Sequence, residues 1–119
     1  MKFYKCKECG SVVILDKEPE AHEGMTELIP NTTDAAGEKH VPVVTVNGQE
    51  ISVVVGAVEH PMLEAHYITF VVLETNLGYQ KKDLTPGGKP EAVFALADGE
   101  KAVAAYEYCN LHGLWKTEV

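Results

Sequence analysis

The chain has 119 residues, 45% of them hydrophobic and 24% charged, enough for the core of one domain with a small appendage. A formal net charge of −8 leaves no basic face for nucleic-acid phosphates, and no apolar run approaches the roughly 20 residues of a membrane helix. The opening Met1-Lys2-Phe3-Tyr4-Lys5-Cys6 has no signal-type apolar stretch, so a cytoplasmic location is expected, and the three cysteines are too few and scattered for a disulfide framework.

Residues 1–37 mix Cys6-x-x-Cys9, an acidic stretch and Pro30-Asn31-Thr32-Thr33. They read as a small module plus linker, too short for a core of its own and expected to lean on the remainder or on a second chain. From residue 38 onward strand signals dominate. Val41 to Val46 and Glu50 to Val55 are β-branched runs joined at Asn47-Gly48, the strongest short hairpin signal. Tyr67 to Glu74 and Tyr79 to Leu84 flank the turn Asn76-Leu77-Gly78, and Thr85 to Pro90 is a loop. Glu91 to Leu96 and Lys101 to Cys109 are split by Asp98-Gly99, and Leu114 to Thr117 could close the sheet. About seven short strands at regular turn spacing predict a β-sandwich over residues 38–119.

Four of the five histidines fall where such a sandwich presents ligands, at strand ends or in loops: His40, His60, His66 and His112. Cys109 and His112 share a Cys-x-x-His segment whose Gly113 permits a sharp turn. Imidazole suits iron, copper, nickel and zinc, and a thiolate adds a soft donor. Four histidines with a cysteine exceed the four ligands structural zinc prefers. Five donors with one open position suit a redox metal instead. Spacing alone leaves other readings open: surface or core histidines, or a blue-copper site with Met62 as its methionine.

Glu38-Lys39-His40-Val41-Pro42, His60-Pro61-Met62, His66-Tyr67-Ile68 and Tyr108-Cys109-Asn110-Leu111-His112-Gly113-Leu114-Trp115 resemble the signature segments of superoxide reductases of the desulfoferrodoxin type, in order and near their spacing. The resemblance implies an all-β, immunoglobulin-like seven-stranded β-sandwich. It implies one mononuclear non-haem iron per chain with His40, His60, His66 and His112 equatorial and Cys109 axial. The implied reaction is one-electron reduction of superoxide to hydrogen peroxide without dismutation, with rubredoxin as the expected electron donor. Lys39 would attract the anion and order a proton-delivering water, and Glu38 would occupy the sixth position in the oxidised resting state. Tyr67 and Trp115 read as core aromatics. A non-catalytic iron electron carrier or sensor on the same sandwich is the rival reading, against which an open position beside Glu38-Lys39 argues.

Tyr4-Lys5-Cys6-Lys7-Glu8-Cys9-Gly10 resembles the opening of a desulforedoxin-like module, which binds a second iron through four cysteines in two-iron relatives. Here Ala21-His22 stands near where the downstream cysteine pair should be, so no second rubredoxin-like iron is expected. Cys6 and Cys9 are then idle thiols, a zinc site completed by His22 or shared across a dimer, or a redox-active disulfide. The module could also serve as a contact in a homodimer or higher oligomer.

Overall fold

The structure, a computed structural model, describes residues 1–15, 24–32 and 39–119. The described residues are all-β. The N-terminal strands are β1 (Lys2–Cys6), β2 (Val12–Leu15) and β3 (Met25–Leu28). Then follow β4 (Pro42–Asn47), β5 (Glu50–Val55), β6 (Ile68–Thr75), β7 (Gly78–Asp83), β8 (Glu91–Ala95), β9 (Ala102–Cys109) and β10 (Gly113–Glu118). No described helix is long and apolar enough to cross a membrane.

The strands form three antiparallel sheets, ordered β2-β1-β3, β10-β9-β6-β7 and β4-β5-β8. The last two pack face to face. Ile51, Val53, Val55 and Phe94 on one side meet Ile68, Val71, Leu73 and Ala105 on the other. The four-stranded sheet is covered on its second face as well. Phe70, Val72, Tyr106 and Tyr108 pack there against Phe3, with Val12, Ile14 and Leu28 at the margin. Burial on both faces explains why β6 and β9 read as near-continuous apolar runs rather than alternating ones. The N-terminal segment thus completes a second core on the sandwich instead of building its own.

Two local features shape the sandwich. The β4–β5 hairpin turns at Gly48-Gln49, with Gly48 at φ 62 and Asn47 still in the strand, one residue later than the Asn-Gly signal suggests. In β6 the register against β9 slips: Ile68 pairs with Cys109 while Phe70 pairs with Tyr108. This bulge turns Ile68 into the inner core and Phe70 into the outer one, although simple alternation would place both on one face. Leu114 to Thr117 falls within β10, the edge strand that ends the four-stranded sheet beside β9.

Phe3 is 1% exposed, and its ring lies 4.9 Å from that of Tyr106 and 6.3 Å from that of Phe70. Phe3→Ala is expected to lower unfolding stability by about 3–5 kcal/mol, as for other buried aromatic truncations. Urea denaturation should show one cooperative transition shifted as a whole. A sandwich transition that stays in place would mean that the N-terminal sheet unfolds on its own.

Candidate metal centre

The ends of five strands meet at one end of the sandwich. Pro42 at the start of β4 pairs with Val55 at the end of β5, and Ile68 at the start of β6 pairs with Cys109 at the end of β9. Cys109 in turn pairs with Gly113, the first residue of β10. The segments projecting from these ends carry His40, His60, His66 and His112.

Each segment is tied down by its own bonds. The N–H of His66 donates to Leu63 O at 2.9 Å, and that of Leu63 donates back to His66 O at 3.0 Å. Asn110 joins two ligand-bearing loops: its Oδ1 accepts from the Tyr67 N–H at 3.0 Å and its Nδ2 donates to Ala65 O at 3.1 Å. Gly113 takes φ 85 to close the Cys109–Gly113 turn. Gly56, at φ 81, lets the chain before β4 come close: a Cβ there would stand 2.4 Å from Lys39 O and 2.6 Å from Val58 O. Trp115 stacks on His40 at 4.8 Å between centroids and donates Nε1–H to His112 O at 3.1 Å, so it supports the His40 ring and ties down the His112 backbone.

The four imidazoles form a closed ring of neighbours. His40 touches His60, His60 touches His66, His66 touches His112 and His112 touches His40, with centroids 4.7–5.0 Å apart and every pair edge-on. Cys109 Sγ lies 3.6 Å from His60 Nε2 and 3.7 Å from His112 Nδ1. Those two histidines occupy opposite corners. The sulfur therefore lies over the face of the quadrilateral rather than along a side. Cys109 is fully buried and His112 is exposed, so the sulfur marks the core side and the other face looks outward.

The donor set fits a metal ion. The ligand atoms of His40, His60, His66, Cys109 and His112 all lie within 4.8 Å of one another. His66 Nε2 is buried without a hydrogen-bond partner. His40 Nε2 and His112 Nδ1 are 3.1 Å apart. Nitrogens bound at about 2.1 Å around one ion would lie about 3.0 Å apart when adjacent and about 4.2 Å apart when opposite. His60 Nδ1–H donates to Pro61 O at 2.8 Å, which leaves Nε2 as the lone-pair donor facing the group.

Electrostatics point the same way. Burial, then the neighbouring imidazoles, hold His60 below the ordinary histidine range. Burial also lowers His66, helped by His112, His40 and the Lys39 ammonium. Neutral imidazole is the metal-binding form. Burial pushes the Cys109 thiol up, opposed by backbone N–H donation from Leu111 and His112. A bound cation reverses that balance by stabilising the thiolate directly.

The structure thus gathers all five predicted donors. Lys39 is exposed, and its charge is felt at His66. Glu38 and His22 lie outside the described residues. Cys6 ends β1 and Cys9 lies in the turn that follows, and neither belongs to this group. Sequence reasoning overlooked Gly56, Asn110 and the stacking role of Trp115. The glycine after a β-branched run and the asparagine inside Cys-x-x-His were the available signals.

Residues 32–118 match the sequence model of the desulfoferrodoxin family. The chain is 43% identical to a desulfoferrodoxin of Syntrophotalea carbinolica, covering 99% of this chain and 96% of that one. It is 32% identical to a superoxide reductase of Pyrococcus abyssi, over 72% of this chain and 90% of its relative. The solved superoxide reductase of Treponema pallidum superposes with a TM-score of 0.84 at 38% identity, covering 98% of this chain and 96% of that one. A one-iron superoxide reductase of Giardia intestinalis gives 0.60 at 36% identity over 69% of this chain and 97% of that one. With a family match that spans the sandwich and relatives that span nearly the whole chain, the chain belongs to the desulfoferrodoxin family.

Proposed function

We propose that the chain is a superoxide reductase, adding one electron and two protons to superoxide to give hydrogen peroxide, without dismutation. The observation that carries this reading is the arrangement of donors: four imidazoles around a ring, a buried thiol over one face and an outward-looking opposite face. His40, His60, His66, His112 and Cys109 would hold one mononuclear iron, which when bound supplies a one-electron couple between its ferrous and ferric states. All five come from one chain, so the site needs no partner subunit.

The residues divide the remaining work. Cys109, held on the core side, would supply an electron-donating thiolate to the metal, as thiolates do in thiolate-ligated haem proteins. Burial of His40, His60 and Cys109 keeps water from that side. Lys39 offers local positive charge to an anionic substrate on a chain of net charge −8, and orders a water that delivers protons. Glu38, by the family resemblance, would offer a carboxylate to the oxidised metal. A small electron-transfer protein such as rubredoxin would return the electron. A carrier or sensor would gain nothing from an outward face with a lysine beside it.

Metal analysis of the purified protein should give one iron per chain and no tetrathiolate centre. Cys109→Ser should remove the sulfur-to-iron charge-transfer band of the oxidised protein and nearly abolish superoxide reduction. A variant with unchanged spectrum and rate would show that Cys109 is not a ligand.

Lys39→Ala should keep its iron yet slow the second-order encounter with superoxide. The salt dependence of that rate should also change, since steering is screened over about 8–10 Å. Glu38→Ala should alter the oxidised spectrum and leave the encounter rate nearly unchanged. Pulse radiolysis across a salt series checks both, and a Lys39→Ala rate equal to wild type at every salt concentration would assign the attraction to the metal alone.

Asn110→Ala removes the clamp between the two ligand loops. Iron affinity is expected to fall about 10–100-fold, the usual cost of losing a group that orients metal ligands. Competition with a chelator measures it, and unchanged affinity would show that the loops hold their places without the clamp.

A further inference from the structure

The proposed reaction leaves Cys6 and Cys9 unused, yet the chain around them is closely organised. Cys6 ends β1 and Cys9 stands exposed in the turn that follows. The turn is closed by Cys6 N–H donating to Ser11 O at 2.8 Å and Gly10 N–H donating to Cys6 O at 2.9 Å, with Gly10 at φ 74. Cys9 N–H points at Cys6 Sγ, 3.4 Å away. That bond folds the backbone of Cys9 back onto the Cys6 sulfur, so both cysteines belong to one tight turn. They border a cleft of about 590 Å³ whose charged residues are Lys5, Lys7 and Glu8.

Two chemistries suit paired thiols, metal binding and redox exchange. A metal would need further donors, and among the described residues the only cluster of three or more is the one at Cys109. Redox exchange needs an accessible thiolate with a second sulfur in reach. The bonds from Ser11, then Cys6, bring the Cys9 thiol down to about 7, so a large fraction is thiolate at neutral pH.

We propose that Cys6 and Cys9 form a reversible dithiol–disulfide couple in which Cys9 attacks a peroxide and Cys6 resolves the product. The choice of oxidant rests on the proposed function, because hydrogen peroxide is what that reaction releases. The Cys9 thiolate attacks one peroxide oxygen; an S–O bond forms, the O–O bond breaks, and hydroxide leaves to become water. Cys6 then attacks the Cys9 sulfur; an S–S bond forms, the S–O bond breaks, and a second water leaves. Two thiols have lost two electrons and two protons, and one peroxide has become two waters. A thiol reductant returns the couple to its starting state. The chain would then remove part of its own product.

The test uses the iron-loaded full-length protein, reduced, exposed to hydrogen peroxide and alkylated under denaturing conditions. Peptide mapping should show two of the three cysteines lost to alkylation as a Cys6–Cys9 disulfide, restored by dithiothreitol. The rate of loss should rise with pH around a midpoint near 7. Cys9→Ser should slow peroxide consumption about tenfold or more, because the activated thiolate is gone. Cys6→Ser should halt Cys9 at the sulfenic acid, trapped by dimedone. Both variants should keep their iron and their rate of superoxide reduction. The proposal is overturned if the pair stays alkylatable, if Cys9→Ser consumes peroxide at the wild-type rate, or if thiol alkylation releases a second metal ion from the purified protein. A chain that forms the disulfide with added peroxide but does not reduce superoxide would overturn the proposed function and leave the couple standing.

Discussion

Coverage of the four-stranded sheet on both faces is the constraint on which the rest of the structure depends. β9 runs through the middle of it, with Ala105 and Cys109 directed into the inner core and Ala104, Tyr106 and Tyr108 into the outer one. A strand packed on two sides cannot shift its register by one residue without moving every side chain to the wrong core. Its last residue is Cys109. The position of the sulfur is therefore set by packing along the whole strand rather than by the short turn that follows. The bulge in β6 completes the arrangement, since it places Ile68 beside Cys109 on the inner face while the rest of β6 keeps its own pattern.

The site built on that anchor has two unlike sides. Towards the core lie a sulfur and two buried imidazoles, where an isolated charge would be costly. The Cys109 thiol and the His60 and His66 imidazoles are accordingly biased towards neutrality. A divalent cation changes the account, because its charge meets an anionic sulfur and four lone pairs at once. Towards solvent lie His112 and Lys39. Binding and access are thus separated by depth, and the loops on the outer side are joined by Asn110 and Gly56 rather than by the hydrophobic core.

Much of this was legible in the sequence because it is local. The β4–β5 hairpin, the strand runs of β6 and β9 and the Cys109-x-x-His112 turn are signalled by β-branched runs, turn residues and short spacings. What escaped is non-local. The three N-terminal strands acquire their partner surface only when Phe70, Tyr106 and Tyr108 are brought together by the sandwich. The bulge is invisible because Ile68, Thr69 and Phe70 are all good strand residues. Gly56 is needed because of Lys39, seventeen positions away in the chain, so its place after a β-branched run marks a turn but not which segment comes close. The stacking of Trp115 on His40 depends likewise on two sheets meeting.

Asn31 makes a single parallel bridge to Trp115, between Leu114 O and the Lys116 N–H, on the open side of β10. At the opposite edge of the same sheet, β7 carries Lys81, Lys82 and Asp83, and Lys82 donates to Val93 O of β8. An uncovered edge strand is a template onto which another chain can add a strand. Here one edge is capped by a residue of the preceding segment and the other is studded with charge. The asparagine therefore occupies two outward backbone groups of β10, and with them part of the edge at which another chain could extend the sheet.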